Sequence, residues 1–509
     1  MNTDKSASQF IPAGDNRVKH GNHLKTAIGS ALGATFGFVL LRALLTPLRI
    51  RVVTGLLDPG AYGALTLLSM TVHGLAIIAS LGGFETLLRK LPSAEPPERF
   101  RIFGVVFAVS SICGVVAAIA IGLFWVRLDV ISEMATHIST AAAICLFLLF
   151  LHIQQRIYWL LGCRAYWPSR LLQLMWSDLW FVPLLVVMFF FAVTAETASW
   201  VWVCWLLVVS LLSWRFVPVG RGIKALVDTP WSGALVLSGL PLLPVVLGEW
   251  VFRLSGHYVL LAYTSATDMA FYALSLNIAL IGLIAATPMV DMLCVELSHV
   301  FAGDEHGHDE KPSPAVRRIL SDGLRHLFAV LAPAVLVMIF MPADIVGFFA
   351  AEDFLPAAVF LPYAAIMPVL LTFNLLFARI LMLCSRQKSI VCGSLAGAVG
   401  AVILCMLFVP AYGVNGALLG IATACFSVDL LYAVQLRLWR WIDWSLAGCL
   451  KILSTFAVLA AGVYVVSVMP MAGIWRLLAA AVFCAITVVW TGLLHWRDFH
   501  NPSEKSVES

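Results

Sequence analysis

Long apolar stretches dominate the chain, and short polar segments separate them. A helix rises 1.5 Å per residue, so about 20 apolar residues cross the roughly 30 Å hydrocarbon core of a bilayer. The sequence is therefore predicted to be an all-α polytopic membrane protein with about 14 transmembrane helices. They are expected near 28–48, 61–82, 102–126, 139–160, 171–195, 197–219, 233–256, 270–295, 325–349, 356–383, 389–410, 413–436, 447–469 and 473–495.

Lysine and arginine are unevenly divided between alternate loops. Twenty-six of the 32 basic residues fall on one side of the predicted membrane, together with both chain ends. Cytoplasmic loops of membrane proteins carry such an excess. The division predicts cytoplasmic termini, with tails at 1–27 and 497–509. The six remaining basic residues are Arg42, Arg49, Arg51, Arg127, Arg253 and Arg476.

Composition narrows the function classes. Hydrophobic residues make up 61% of the chain and charged residues 12%, which excludes a large soluble domain. The net charge of +4 reflects the loop bias, and no basic cluster alternates with aromatic residues, so we expect no nucleic acid partner. The cysteines form no C-x-x-C pair and are expected to pack as small apolar residues, and we expect no metal and no cofactor.

An internal echo predicts a duplicated architecture. LLGCRAYWPSR at Leu160–Arg170 is echoed by LMLCSRQKSIV at Leu381–Val391, and AYGALTLL at Ala61 by FYALSLNI at Phe271. We therefore predict two pseudo-symmetric six-helix lobes plus two C-terminal helices, with an N-lobe at 28–224, a C-lobe at 225–440 and the last pair at 441–496. Transporters of this plan hold substrate between the lobes and rock around it.

Three segments resemble a known family. VVTGLLDPGAYGALTLLSM (Val52–Met70), SATDMAFYALSLNIALIG (Ser265–Gly282) and above all LFVPAYGVNGALLGIATACFSV (Leu407–Val428) are similar to polysaccharide transporters of the multidrug/oligosaccharidyl-lipid/polysaccharide (MOP) exporter superfamily. The last contains the hallmark of an apolar residue, Pro, x, Tyr-Gly, x, x and Gly-Ala. The resemblance covers about residues 28–440.

This resemblance implies a Wzx-type flippase of the bacterial inner membrane. Such a protein moves undecaprenyl-pyrophosphate-linked oligosaccharide repeat units to the outer leaflet for exopolysaccharide, capsule or O-antigen synthesis. It makes and breaks no covalent bond, so it is not an enzyme. The implied partners are the lipid-linked oligosaccharide, membrane lipids, and a polysaccharide polymerase and chain-length regulator.

The first predicted helix carries Arg42 and Arg49 seven residues apart, on one face, with Arg51 at its outer end. A charge within hydrocarbon is costly, and guanidinium binds phosphate oxygens with a planar fork of donors. We interpret Arg42 as a substrate ligand in a cavity. For Arg49 and Arg51 the alternative is that they reach to the outer interface.

Other candidate ligands lie on later helices. Glu249, Arg253 and His257 follow each other at intervals of four and predict one polar stripe facing the cavity, with an intrahelical ion pair as the alternative. Asp178 and Arg379 are further candidates, although a cap or a bridge between neighbouring helices is the favoured interpretation of Asp178. Trp176 and Trp180 flank Asp178, either to stack on sugars or to anchor the protein at the interface.

Two transporters of related kind remain as alternatives. A lipid II flippase would share fourteen helices and a cationic cavity. A drug or cation antiporter of the same superfamily would share the fold, although an acidic residue deep in the first helix would favour it, and that helix carries arginines instead.

Overall fold

The computed structural model describes residues 20–124, 137–216, 243–303, 313–384, 386–442 and 446–491. All regular elements within these residues are helices, and no strand occurs among them. Twelve helical stretches in this part of the chain are long and apolar enough to cross a membrane. The predicted all-α membrane fold is confirmed.

The chain divides into two compact units between Leu254 and Ser255. The predicted lobe boundary at 224/225 lies outside the described residues. The first unit holds α1 (His20–Leu56), α2 (Pro59–Ser80), α3 (Gly83–Lys90), α4 (Pro96–Phe124), α5 (Thr140–Gly162), α6 (Tyr166–Ser177), α7 (Phe181–Val187), α8 (Ala195–Ser213) and the first half of α9 (Leu243–Tyr263).

The second unit begins within α9. Its further helices are α10 (Ala266–Ala279), α11 (Ile281–Gly303), α12 (Pro314–Phe340), α13 (Pro342–Phe349), α14 (Leu361–Ala364), α15 (Met367–Leu383), α16 (Gln387–Leu436), α17 (Leu446–Ser467) and α18 (Gly473–Trp490). Within the described residues, three short 3-10 helices connect elements, at Leu91–Ser93, Glu352–Val359 and Leu438–Arg440.

Several predicted spans differ in detail from the helices. The fifth, 171–195, is divided between α6 and α7 and ends at Val187. The eighth and ninth are each made of two consecutive helices, and the ninth begins at Pro314 rather than at 325. The first lies inside α1, which is not among the twelve candidate spans.

Helices α4 and α5 of the first unit run in opposite directions, as consecutive membrane crossings must. The ring of Phe107 on α4 lies 5.2 Å from that of His152 on α5, between ring centroids. Further along α4, Gly122 faces Ile144, which lies earlier on α5. The two helices are thus antiparallel, as expected for the third and fourth crossings of a membrane.

Helix α16 is a hairpin of two helices. A straight helix of 50 residues would be about 75 Å long, more than twice the hydrocarbon core. The backbone leaves helical geometry at Gly413, where φ is 55° and ψ is −128°. The Tyr432 hydroxyl donates to the Ile390 carbonyl at 3.2 Å, so the two arms lie side by side. The spans predicted at 389–410 and 413–436 are these arms.

The glycines after the turn allow the arms to approach closely. A β-carbon at Gly416 would collide with the backbone of Phe408, and one at Gly420 would lie 3.0 Å from the backbone nitrogen of Cys405. A positive φ is sterically accessible to glycine at little cost. The hallmark Tyr-Gly-x-x-Gly-Ala segment therefore encodes a tight turn followed by a close helix contact.

The echoed segments end their helices with the same backbone pattern. The Cys163 amide donates to the Trp159 carbonyl and the Ala165 amide to the Leu160 carbonyl. At the second segment, the Cys384 amide donates to Ile380 and the Arg386 amide to Leu381. Burial raises the pKa of Cys163 to about 11 and also raises the pKa of Cys384. Both thiols therefore stay protonated and pack as apolar groups.

The last two helices pack on α12 within the second unit. Leu459 and Val463 of α17 and Ala480 of α18 share an apolar cluster with Leu336. The Phe328 and Phe340 rings of α12 contact Phe456 and Tyr464 of α17 in the same order, so α12 and α17 are parallel. At the edge of this cluster, Arg476 pairs with Asp344 at 2.7 Å.

The hairpin contact makes a stability prediction. We expect Gly416→Val to lower the free energy of unfolding by about 1–3 kcal/mol, because the added side chain meets backbone atoms that cannot move aside. Gly400→Val, in the same hairpin with open space around its Cα, is the matched control. Thermal unfolding of the purified variants in detergent measures both. Equal losses at the two positions would contradict the close-contact explanation.

Candidate functional site: a buried carboxylate between two membrane arginines

Helices α1 and α6 lie side by side and run in parallel. The Arg170 guanidinium of α6 lies over the Phe38 ring of α1, 5.6 Å from its centroid. Eight residues further along both helices, the Thr46 hydroxyl donates to the Asp178 carboxylate at 3.3 Å. Parallel directions are those expected for the first and fifth crossings. This contact brings the arginines of α1 to the end of α6.

Asp178 binds both arginines. Arg42 Nε lies 3.2 Å from Asp178 Oδ2, and Arg49 Nη1 lies 3.2 Å from Oδ1. Ser177 Oγ also donates to Oδ2, at 2.5 Å. The carboxylate is fully buried, whereas the Arg42 side chain is 39% exposed and that of Arg49 is 24% exposed. We call Arg42, Thr46, Arg49, Ser177 and Asp178 the arginine cluster.

The break between α6 and α7 puts Asp178 at the end of α6. Pro183 lacks an N–H and its ring clashes with the carbonyl four residues earlier, so a helix cannot continue regularly through Leu179. Helix α6 ends at Ser177, and Asp178 follows as its cap residue. The Arg49 guanidinium donates to the freed Ser177 carbonyl. The helix break thus gives Arg49 Nη1 two acceptors, the Ser177 carbonyl and the Asp178 carboxylate.

The cluster lies deep along α1. Arg42 precedes the end of α1 at Leu56 by fourteen residues, or about 21 Å of helix. Such a position is the costly one for a charge in a membrane, by roughly 2.5–3.5 kcal/mol on insertion scales. One carboxylate between two guanidinium groups leaves an excess positive charge. The Arg42 Nη groups have no protein partner among the described residues, so their donors are available to an anion.

Glu249 and Arg253 form the intrahelical pair that was the alternative interpretation. Arg253 Nη2 lies 2.7 Å from Glu249 Oε1, and the side chains are 48% and 59% exposed. The His73 imidazole on α2 is exposed as well. The pair therefore presents both charges on an exposed face of α9.

His257 differs from the predicted stripe. Its side chain is 1% exposed and belongs to the second unit, where its ring packs edge-on against Tyr272 at 4.8 Å between centroids. Glu249 and Arg253 are exposed, so the three residues do not form one exposed polar face. The spacing of four residues predicted that the three side chains share one face of the helix. It could not predict that Tyr272 packs on His257.

The remaining candidates are not members of the arginine cluster. Arg379 of α15 pairs with Asp291 of α11 at 3.5 Å, with both side chains more than 40% exposed. Arg51 is exposed near the end of α1. Trp180 is buried and stacks on Trp202 at 5.0 Å, so it packs inside the first unit rather than against a sugar or an interface.

Sequence reasoning missed the neutral and aromatic partners. Thr46 was not singled out, although it lies between the two arginines and bonds the same carboxylate. His73 packs against Phe150 at 5.2 Å and lies 6.3 Å from Trp176, between ring centroids. A histidine inside an apolar span was a signal available in the sequence.

Comparison with known proteins identifies the fold. No family model and no curated protein matches the chain. Among solved structures, the chain is similar to the lipid II flippase MurJ in an inward closed conformation, at 13% identity and a TM-score of 0.65, over 92% of this chain and 98% of that one. It is also similar to a multidrug resistance MATE family transporter of the MOP superfamily, inward-facing, at 15% identity and a TM-score of 0.63, over 80% and 98%. The chain has the fold of the MOP-superfamily transporters.

A third solved structure agrees with this assignment. A MOP superfamily transporter from Pyrococcus furiosus is 16% identical, with a TM-score of 0.54 over 82% of this chain and 95% of that one. In the MOP-type fold of this chain, the arginine cluster lies in the first of the two units. The fold that the three sequence segments predicted is thus confirmed.

The cluster makes a testable prediction about charge balance. We expect Asp178→Asn to lower the free energy of unfolding, because it leaves two arginines without their counter-ion. Breaking a fully buried pair costs about 3–5 kcal/mol, and the partial exposure of both arginines reduces the expected loss to about 1–3 kcal/mol. Adding Arg49→Met should recover part of that loss, since one uncompensated charge is removed. The measurement is thermal unfolding of the single and double variants in detergent.

Asp291→Asn is the matched control. It breaks the exposed pair with Arg379, and pairs of this kind contribute only about 0–1 kcal/mol. Additive losses in the Asp178→Asn and Arg49→Met double variant would show that the two residues do not stabilise each other.

Proposed function

We propose that this protein is a flippase for undecaprenyl-pyrophosphate-linked oligosaccharide repeat units in surface polysaccharide synthesis. It would carry them from the inner to the outer leaflet of a bacterial inner membrane by alternating access. The proposal includes cytoplasmic termini and cooperation with a polysaccharide polymerase and a chain-length regulator. Transport of this kind requires no covalent chemistry from the protein.

The single observation that carries the proposal is the arginine cluster. A diphosphate passing through hydrocarbon needs cationic donors at depth, because a bare charge there is strongly disfavoured. No described residue contacts the two Arg42 Nη groups, while Arg42 Nε lies 3.2 Å from Asp178 Oδ2. A guanidinium oriented in this way is preorganised to bind phosphate oxygens with its outer edge.

The cluster disfavours a cationic cargo at this position. A cationic drug would require an acidic group with free acceptors, but both carboxylate oxygens of Asp178 are already occupied by Arg42, Thr46, Arg49 and Ser177. The excess charge here is positive and repels a cation. An anionic headgroup fits this arrangement better than the cargo of a drug or cation antiporter.

Lipid II is the second candidate cargo. The similarity to the lipid II flippase MurJ covers 92% of this chain, against 80% for the MATE transporter, so it includes more of the chain. Lipid II also combines a polyprenyl pyrophosphate with sugars. The arginine cluster would serve either headgroup, and an experiment must separate the two cargoes.

Leaflet accessibility of the lipid-linked oligosaccharide tests the proposal. Spheroplasts of cells depleted of the protein are treated with a glycan probe that reaches only the outer face. We expect the undecaprenyl-linked repeat unit to accumulate where the probe does not reach it, with loss of surface polymer. Accumulation of lipid II instead would assign the second candidate, and an unchanged distribution of both would refute a flippase role.

Arginine variants connect the cluster with transport. We expect Arg42→Ala to reduce surface polysaccharide at least tenfold at unchanged protein level, because the phosphate donors are lost. Arg42→Lys should restore part of the activity by keeping the charge without the planar fork. Leu44→Ala, at a side chain 65% exposed on the same helix, is the control. Normal polymer in the Arg42→Ala strain would remove the cluster from the transport path.

Exchanging Glu249 and Arg253 distinguishes a structural role of this ion pair from a role in substrate contact. The double variant Glu249→Arg with Arg253→Glu keeps an i, i+4 ion pair and should be produced at the normal level. We expect it to lose most transport, because the cation then occupies a different position. Full transport by the exchanged pair would assign it a purely structural role. Production and surface polysaccharide are measured in the same strains.

A further inference from the structure

A small cavity in the first unit lies between the ends of α2 and α5. Its volume is about 50 Å³, and the N-terminal part of α9 closes one side of it. The helix ends that border it belong to the side of the chain where most lysines and arginines lie. The lining residues are His73, Ile77, Ser80, Gly82, Phe84, Glu85, Phe150, Gln154, Tyr158, Leu243 and Val246.

Gln154 is the unusual member of this lining. Its side chain is only 8% exposed and lines the cavity, and no hydrogen bond joins its amide to another described residue. A polar group at the wall of a cavity normally binds water or a ligand there. Its neighbour Gln155 is not among the lining residues. Gln155 Oε1 contacts the His152 ring nitrogen at 3.1 Å, and its Nε2 is buried without a hydrogen-bond partner among the described residues. The Gln154 amide offers one acceptor and two donors to the cavity.

The rest of the lining combines aromatic faces with polar groups. The Phe84 and Tyr158 rings stack at 4.7 Å between centroids with an interplanar angle of 9°, and Phe150 lies beside His73. Ile77, Leu243 and Val246 add aliphatic surface. An occupant of this cavity should therefore present an amide-like polar group together with a small apolar group.

The volume restricts the size of that occupant. One water molecule needs about 10–15 Å³ of such space, so the cavity holds a group of roughly four non-hydrogen atoms. A complete sugar ring is too large. An acetamido substituent has four such atoms: its N–H and carbonyl match the donor and acceptor of an amide side chain, and its methyl group matches the aromatic surface.

We propose that this cavity binds the acetamido group of an N-acetylated sugar in the lipid-linked substrate. The inference rests on the proposed function and specifies the sugar class. His73, exposed on α2, also lines the cavity. The sugar hydroxyls outside the cavity have its imidazole as a partner, while the Gln154 amide pairs with the acetamido group inside.

Binding of two matched lipids to the purified full-length protein in nanodiscs tests the inference. The probes are undecaprenyl-pyrophosphate-N-acetylglucosamine and undecaprenyl-pyrophosphate-glucose, which differ only in the acetamido group. We expect the native protein to bind the N-acetylated lipid at least tenfold more tightly. Gln154→Leu should remove this preference by weakening that lipid alone, because the amide partner is lost.

Two further variants keep the result interpretable. Ile77→Phe fills the cavity and should produce the same selective loss if Gln154→Leu does not fold. Gln155→Leu, an adjacent buried glutamine that does not line the cavity, should keep the tenfold preference. Equal affinities of the native protein for both lipids, or equal weakening of both by Gln154→Leu, would overturn the acetamido pocket alone. Binding of neither lipid would overturn the proposed function as well.

Discussion

The electrostatic cost of a charge in hydrocarbon is the constraint on which the first unit depends. Two arginines on α1 require a counter-ion, and Asp178 provides it only because α6 ends at Ser177. The ion pairs therefore fix the contact of α1 with α6 and the site of the helix break together. The same three side chains hold α1 against α6 and form the proposed anion site.

The local part of the fold was predictable from sequence. Apolar stretches of the length of a membrane crossing identify helices one at a time, and the hairpin of α16 matches two of them. Pro183 was a visible signal for the break after α6, since proline removes a backbone donor. The choice of Asp178 as partner of Arg42 spans more than 130 residues, and no periodicity within a helix encodes it.

The exposure of individual side chains was the second property that the sequence did not predict. Helical spacing correctly brought Glu249 within reach of Arg253 but also predicted that His257 would share their surroundings. Instead, His257 is covered by Tyr272 in the second unit. Tertiary packing decides which helix covers a given face. Polar residues at intervals of four therefore identify neighbours along one helix, but they do not show whether each side chain is buried or exposed.

The hairpin turn at Gly413 also bears on how cargo can be inferred for such chains. The glycines of this segment satisfy backbone geometry and close helix packing, and neither requirement involves a transported molecule. A chain carrying any cargo would need them equally if it built the same hairpin. Shared hallmark residues therefore report common architecture, and differences between cargoes must be encoded by side chains that have no packing duty.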